Sequence, residues 1–523
     1  MRKGHFPRWP LIAVIAVLVG LAIAAVLVVL QWPFTREKVV KSLREQSGMA
    51  VQMANFRHVY FPHPGCVAEG VQFLRSESAG TPPLMTIDKL VVRGSYAGLF
   101  IHHIDEIHAV HLRVTIPPEA DHSGIASGPI QAGASSGLSI DKIIADGAEV
   151  DFASSQPGAA PLVFQTQKLL VSAISDNHPV SFQATVRIPE PPATVNVEGK
   201  FGPWKTGTGG QTPISGSYKL DQADLGVFSG IAGTLSGRGS FRGILQHIET
   251  EGTTDTPDFS VSRAGNPVHL VTQFHALVDG LNGDVALQQV TAHFGKTTIV
   301  SRGTVASTTD GQGKTVSLDM SSSRARIEDL LRLVGTTTPP PMTGAILFDA
   351  KTTLPPGPRP FLDKVKLQGD FGISGGQYTN PATQKDVDVA SARARGEADK
   401  VEDEDDKRGT DSYDPGRVVS NVKGHVVLQN SVAHLNDLSF DVPGASAVLS
   451  GTFALKTLRV NLEGEARLDA QLSQATTGVK SFLLKIVQPL LKKKKQQRGA
   501  IVHVKVGGTY HNPSFTVTPV VKK

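Results

Sequence analysis

Residues 458–472 read LRVNLEGEARLDAQL, and the order of these letters decides the fold. Leu458, Val460, Leu462, Gly464, Ala466, Leu468, Ala470 and Leu472 alternate with Arg459, Asn461, Glu463, Glu465, Arg467, Asp469 and Gln471. Successive side chains of an extended chain point to opposite faces, so strict alternation makes a strand with one dry and one wet face. At ~3.3 Å per residue the run would reach roughly 50 Å, longer than ordinary strands, which predicts a bend near Gly464. The same pattern returns at Val365, Leu367, Phe371 and Ile373 against Lys364, Lys366, Gln368 and Asp370. It returns again at Phe182, Ala184, Val186 and Ile188, at Val195 and Val197, and at Val502, Val504 and Val506.

Composition agrees with a mainly β chain. Among 523 residues, 52 glycines and 33 prolines suit many short strands and turns. The 40% hydrophobic content contains only 6% aromatic residues, so Ala, Val, Leu and Ile dominate the dry faces. A net charge of +5 is small for this length and gives no case for a nucleic-acid partner. Cys66, the one cysteine, cannot form an intramolecular disulfide.

Helical patterns are few. Residues 35–48 form one, with Thr35 as N-cap, Val39, Val40 and Leu43 on one face and Gly48 as the stop. Residues 327–334 form a short second, and a third lies within 473–497. Many one-faced strands therefore meet too few helices to cover them. Either sheets cover each other as a sandwich or curved barrel, or the dry face encloses an apolar ligand.

Residues 10–30, PLIAVIAVLVGLAIAAVLVVL, carry no charge and are long enough to cross a ~30 Å hydrocarbon core as a helix. Arg2, Lys3 and Arg8 precede the run, and Trp9 and Trp32 bracket it at interfacial positions. The run ends in LQWPF without a small-residue cleavage site, which predicts an uncleaved transmembrane anchor at 10–32 behind a cytoplasmic 1–9. Beyond it the sequence divides into a helix-plus-strands unit at 33–118 and a flexible loop at 119–138. A central β region follows at 139–335, then a second at 336–472 that carries an acidic loop at 397–416. An amphipathic helix and terminal strands occupy 473–523. GTTDTPDFSV at 252–261 and GTYHNPSFTV at 508–517 share a pattern that predicts strand, turn at proline and new strand in both places.

Candidate chemistry is sparse. His102, His103, His108 and His111 lie near Asp105 and Glu106, the right residue types for a metal. Period two scatters them over both faces, so surface histidines and no metal are expected. SGRGSFRG at 236–243 lacks the spacing of a phosphate loop and predicts a bent strand pair. Neither G-x-S-x-G nor H-E-x-x-H occurs, and the acidic loop lacks calcium-loop spacing. The chain is therefore expected not to be an enzyme and to carry no cofactor. In 478–498, Phe482, Leu483, Ile486, Leu490 and Leu491 form an apolar stripe, broken at Pro489 and followed by Lys492, Lys493, Lys494 and Lys495. That segment either caps the sheet or lies on a membrane surface, with the four lysines on anionic headgroups.

Taken together, the chain resembles the AsmA-like family of Gram-negative envelope proteins, distant relatives of TamB-type and bridge-like lipid-transfer proteins. The resemblance is carried by residues 32–75 with their FP-x-P-G turn (Phe61, Pro62, Pro64, Gly65), by 87–117 (IDKLVVRGSYAGLFIHHIDEIHAVHLRVTIP), and by 342–357 and 361–380. The C-terminal stretch at 483–515 also fits. It implies an elongated, twisted β-groove, or an open barrel-like sheet, whose apolar interior holds acyl chains, with no catalytic residues. Val460, Leu462, Leu468, Val365, Leu367 and Phe371 would then face lipid. The implied protein sits in the bacterial inner membrane by a single pass with its body in the periplasm. Its partners would be phospholipid, the inner membrane and an outer-membrane protein, and it would support phospholipid transport to the outer membrane. The alternative is a scaffold for outer-membrane protein biogenesis without lipid transfer.

Overall fold

The computed structural model describes residues 34–47, 49–74, 83–98, 103–116, 139–152, 162–174, 178–189, 191–203, 209–228, 230–261, 266–308, 313–335, 338–395, 418–469, 500–509 and 512–519. The expected anchor at 10–32, the loops at 119–138 and 397–416, His102 and the segment with Lys492 to Lys495 lie outside these residues. Among the described residues no helix is long and apolar enough to cross a membrane. The chain forms two compact units, one of Met1–Pro189 with Asn196–Ile214, the other of Glu190–Val195 with Ser215–Lys523. The division falls within the 139–335 region.

In the first unit, helix α1 (Arg36–Ser47) forms where its pattern predicts. It precedes β1 (Ala50–Val59), β2 (Gly65–Leu74), β3 (Met85–Arg93), β4 (His103–Ile116), β5 (Ser139–Phe152), β6 (Leu162–Ile174) and β7 (Val180–Pro189). Neighbours in the chain pair antiparallel except β4 and β5, which run parallel. The FP-x-P-G residues make the β1–β2 turn. Val39, Val40 and Leu43 of α1 pack onto a core that includes Val51, Val71, Phe73, Ile104 and Ile140. Cys66 is buried there, and burial pushes its thiol up to about 12, away from thiolate chemistry.

Strand β8 (Pro192–Phe201) has residues in both units. In the second unit β9 (Pro213–Asp224) lies beside β11 (Thr234–Ile244), and β10 (Ile231–Ala232) pairs with the end of β12 (His247–Val261). The strands then continue as β13 (Val268–Val278), β14 (Val285–Phe294), β15 (Thr297–Ser307), β16 (Lys314–Arg326), β17 (Met342–Leu354) and β18 (Lys366–Tyr378). The last six are β19 (Ser420–Gln429), β20 (Val432–Val442), β21 (Ala445–Ala454), β22 (Arg459–Leu468), β23 (Ala500–Thr509) and β24 (Asn512–Pro519). From β11 onward each strand pairs antiparallel with the next in chain order.

Three sequence expectations need correction. SGRGSFRG lies within the single strand β11, not a bent strand pair. Of the two related fragments, only 508–517 spans two strands, and its Pro513 lies inside β24, paired with Gly508 of β23. The other stays inside β12, which absorbs Pro257 as a bulge between Thr256 and Phe259. The bend expected at Gly464 is absent, and β22 keeps unbroken register with β21 through Gly464↔Leu449. A Cβ at Gly464 would stand 2.0 Å from the Val448 carbonyl oxygen, so glycine here answers close strand approach.

Helix α2 (Ile327–Val334) matches its pattern, whereas α3 (Phe361–Lys364) and α4 (Pro381–Ala394) were not anticipated. Polar groups hold α4. Gln384 accepts from the Tyr378 amide at 2.8 Å and donates to the Val418 carbonyl at 3.0 Å. Asp388 accepts from the Val418 amide at 2.9 Å.

Candidate functional site

The ladder registers gather two largely apolar rows of the second unit on one face. One row runs Met320 (β16), Ala350 (β17), Gly369 (β18), Val426 (β19), Leu435 (β20), Gly451 (β21), Leu462 (β22) and Val506 (β23). Beside it runs Leu318, Thr352, Leu367, Leu428, Ala433, Phe453 and Val460. Because paired residues of a ladder share a face, each row is continuous across the sheet. Arg459, Glu463, Glu465 and Arg467 occupy the opposite, exposed face of β22.

Helix α2 lies against this face. The helix joins Ala325, Ile346 and Ile373 through Ile327 and Leu330, which places it on the apolar side of β16–β18. Yet its far end also meets the link between β12 and β13. The Asn266 amide donates to the Arg332 carbonyl at 2.9 Å, and the Asn266 side chain donates to the Gly335 carbonyl at 3.2 Å. A single eight-residue helix thus meets elements from the β12–β13 link to β18 at one end of the strands.

Two acids fix α2 in that position. Asp329, 8% exposed, accepts from the Lys296 amide at 2.7 Å and the Thr297 hydroxyl at 2.8 Å, both at the β14–β15 turn. Gly295 holds φ +56° in that turn, and a Cβ there would sit 2.4 Å from the Asp329 carboxylate. Glu328 accepts from Arg326 Nε at 2.8 Å and from the Gly344 amide at 3.1 Å. Burial pushes its carboxyl upward, but the hydrogen bonds from Arg326 and the backbone outweigh that and hold it below its ordinary 4.5.

Away from α2 the apolar face has little cover among the described residues. On β19 to β22, Val426, Leu428, Leu435, Leu438, Phe440, Leu449, Phe453, Val460 and Leu462 are all only half-buried. Of the expected lipid-facing residues, Leu367, Phe371, Val460, Leu462 and Leu468 share this face, with Phe371 packed near α2. Val365 is different. It follows α3 at the mouth of β18 and is 4% exposed, so it is packing and not lining. The registers needed to gather the other five are absent from any single strand's pattern.

Tyr218 of β9 was missed. Its ring lies over Gly239 and Gly252, which pair with each other, and a Cβ at Gly239 would stand 2.5 Å from the tyrosine hydroxyl. It stacks 6.5 Å from Phe241, and burial pushes its hydroxyl upward against the opposing Thr250 hydrogen bond. Two glycines at one paired position were the available signal.

The histidines of β4 each find a carboxylate. His108 Nε2 lies 2.7 Å from Asp146, and His111 Nδ1 lies 3.0 Å from Asp88. His103 Nε2 lies 3.2 Å from Asp141 and 3.6 Å from Asp105, while its Nδ1 meets Ser139 Oγ at 2.8 Å. Comparison with family models, curated proteins and solved structures finds no match to this chain.

Proposed function

We propose that this chain binds lipid along the apolar face of its second unit and supports phospholipid transport to, or homeostasis of, the outer membrane. The observation that carries the reading is the half-buried state of the large aliphatic and aromatic residues on β19 to β22. Apolar surface left wet costs about 25 cal/mol per Å², and contiguous exposed apolar surface marks a binding site. Acyl chains are a suitable cover, because a row of Leu, Val, Phe and Gly offers dispersion contacts and no hydrogen-bonding groups.

On this reading residues 10–32 anchor the chain in the inner membrane, and its body is periplasmic. The β1–β2 turn fits that placement. Phe61 is 83% exposed, with Tyr60 and Tyr96 exposed beside it, and the Phe34 carbonyl lies 3.0 Å from His58 Nδ1. Aromatic residues next to the end of an apolar segment suit a membrane interface. The AsmA-like resemblance points to the same function.

The test uses photo-crosslinking side chains at single positions of the full chain in membranes. Val460, Leu462 and Leu468 are expected to yield lipid adducts by mass spectrometry, and Arg459, Glu463 and Arg467 are not. Equal labelling of both sets removes the groove. Capture of protein alone at Leu462 favours the scaffold for outer-membrane protein biogenesis.

A further inference from the structure

We infer that His103, Asp105 and Asp141 form a binding site for a divalent transition metal, of which Zn²⁺ is the best match. The three residues come from the starts of the parallel strands β4 and β5, whose register places His103 beside Ser139. One ligand atom from each lies within 4.8 Å of the others. The two nitrogen–oxygen separations, 3.2 and 3.6 Å, bracket the ~3.4 Å edge of a tetrahedron with metal–ligand bonds of ~2.1 Å.

The surroundings of the imidazole favour a cation over a simple ion pair. Ser139 Oγ holds Nδ1 at 2.8 Å, which leaves Nε2 facing two carboxylates. Asp105 is itself oriented by the Ser95 hydroxyl at 3.3 Å, and that hydroxyl accepts from the Gly98 amide at 3.2 Å. Hydroxyls that orient an imidazole and a carboxylate are what a metal site requires of its outer shell. The neighbouring cations are engaged elsewhere: Lys142 and Arg93 reach Glu106 at 2.7 and 2.8 Å. Neutral imidazole with two carboxylates carries a charge of −2, which one divalent ion cancels and one proton does not. One nitrogen and two oxygen donors suit zinc and its first-row neighbours better than calcium or magnesium, which prefer oxygen alone. Asp141 stands at the rim with 64% of its side chain exposed, which leaves the metal an open path from solvent.

The experiment adds Co²⁺, as a coloured probe for zinc, to the purified full chain in detergent at pH 7.5, and then displaces it with Zn²⁺. One equivalent of Co²⁺ is expected to give the visible absorption of a four-coordinate ion. His103→Ala and Asp141→Asn should each weaken uptake at least tenfold, whereas His108→Ala and His111→Ala leave it unchanged. Asp141→Asn alters an exposed, isosteric side chain, so its far-ultraviolet dichroism should match the parent and exclude unfolding as the cause. Zn²⁺ should also raise the melting temperature of the parent and not of Asp141→Asn. The absence of visible bands, or uptake unchanged in His103→Ala and Asp141→Asn, overturns the site and leaves hydrogen-bonded histidine–aspartate pairs.

Discussion

Asp329 carries more of the architecture than its single charge suggests. Its carboxylate gathers the Lys296 amide and the Thr297 hydroxyl, and that hydroxyl in turn accepts from the Arg326 amide at 3.0 Å. Thr297 is 2% exposed, so water cannot replace a lost partner. Asp329→Ala should therefore destabilise the second unit by about 1.5–3 kcal/mol, the range for hydrogen bonds to a charged group. Asp329→Asn keeps one acceptor oxygen and should cost less. Urea denaturation of the parent and both variants gives the order. Equal midpoints would mean that the turn finds other partners. Nothing in the sequence around DLLRLV flagged this acid, because an aspartate in the first turn of a helix reads as a favourable end charge whether or not a sheet lies against it.

At the scale of elements, what could be read in advance depended on whether apolar periodicity or polar contact holds the element. Helices α1 and α2 were legible because Val39, Val40 and Leu43, or Ile327 and Leu330, repeat on one face toward a core. Helix α4 was not, since Gln384 and Asp388 secure it and leave no apolar stripe to read. Single strands were legible for the same reason as α1, by the period of two. The pairing that collects Leu367 with Val460 depends on turns and bulges scattered between these two residues, and alternation alone does not encode it. Helix α2 also gives a pH prediction. The Glu328 carboxyl sits below its ordinary 4.5 in the folded protein, so the unfolded chain takes up the proton first. Its contribution to stability is therefore complete above that value and is lost as pH falls through the folded-state value. Thermal unfolding of the parent should weaken faster than that of Glu328→Gln as pH drops below 4.5. Parallel loss in the two would assign the acid sensitivity to other carboxylates.

For the whole molecule the question is what a half-wet apolar face is for. A sheet of antiparallel strands normally buries one face against a second layer. In the first unit α1 supplies part of that layer, and Val51, Val71 and Phe73 are buried. In the second unit α2 covers only one end, and the row through Val426, Leu435 and Leu462 remains half-buried. Two substitutions on one strand separate a lipid-lined face from a closed core. Leu462→Asp puts a carboxylate on the apolar row, and Glu463→Ala removes one from the wet side. Against acyl chains an unpaired carboxylate costs several kcal/mol, or takes up a proton instead. At 1.4 kcal/mol for each factor of ten, lipid capture by Leu462→Asp should fall more than about tenfold. Glu463→Ala should stay near the parent. An Asp on an open face reaches water when lipid is absent, so the variant should accumulate in membranes at the parental level. The two readouts are abundance in membranes and lipid recovered per chain by mass spectrometry. Normal abundance with normal lipid would remove β22 from the binding face. Degradation of Leu462→Asp would mean that Leu462 is packed in a closed interior, and the groove would have to be given up.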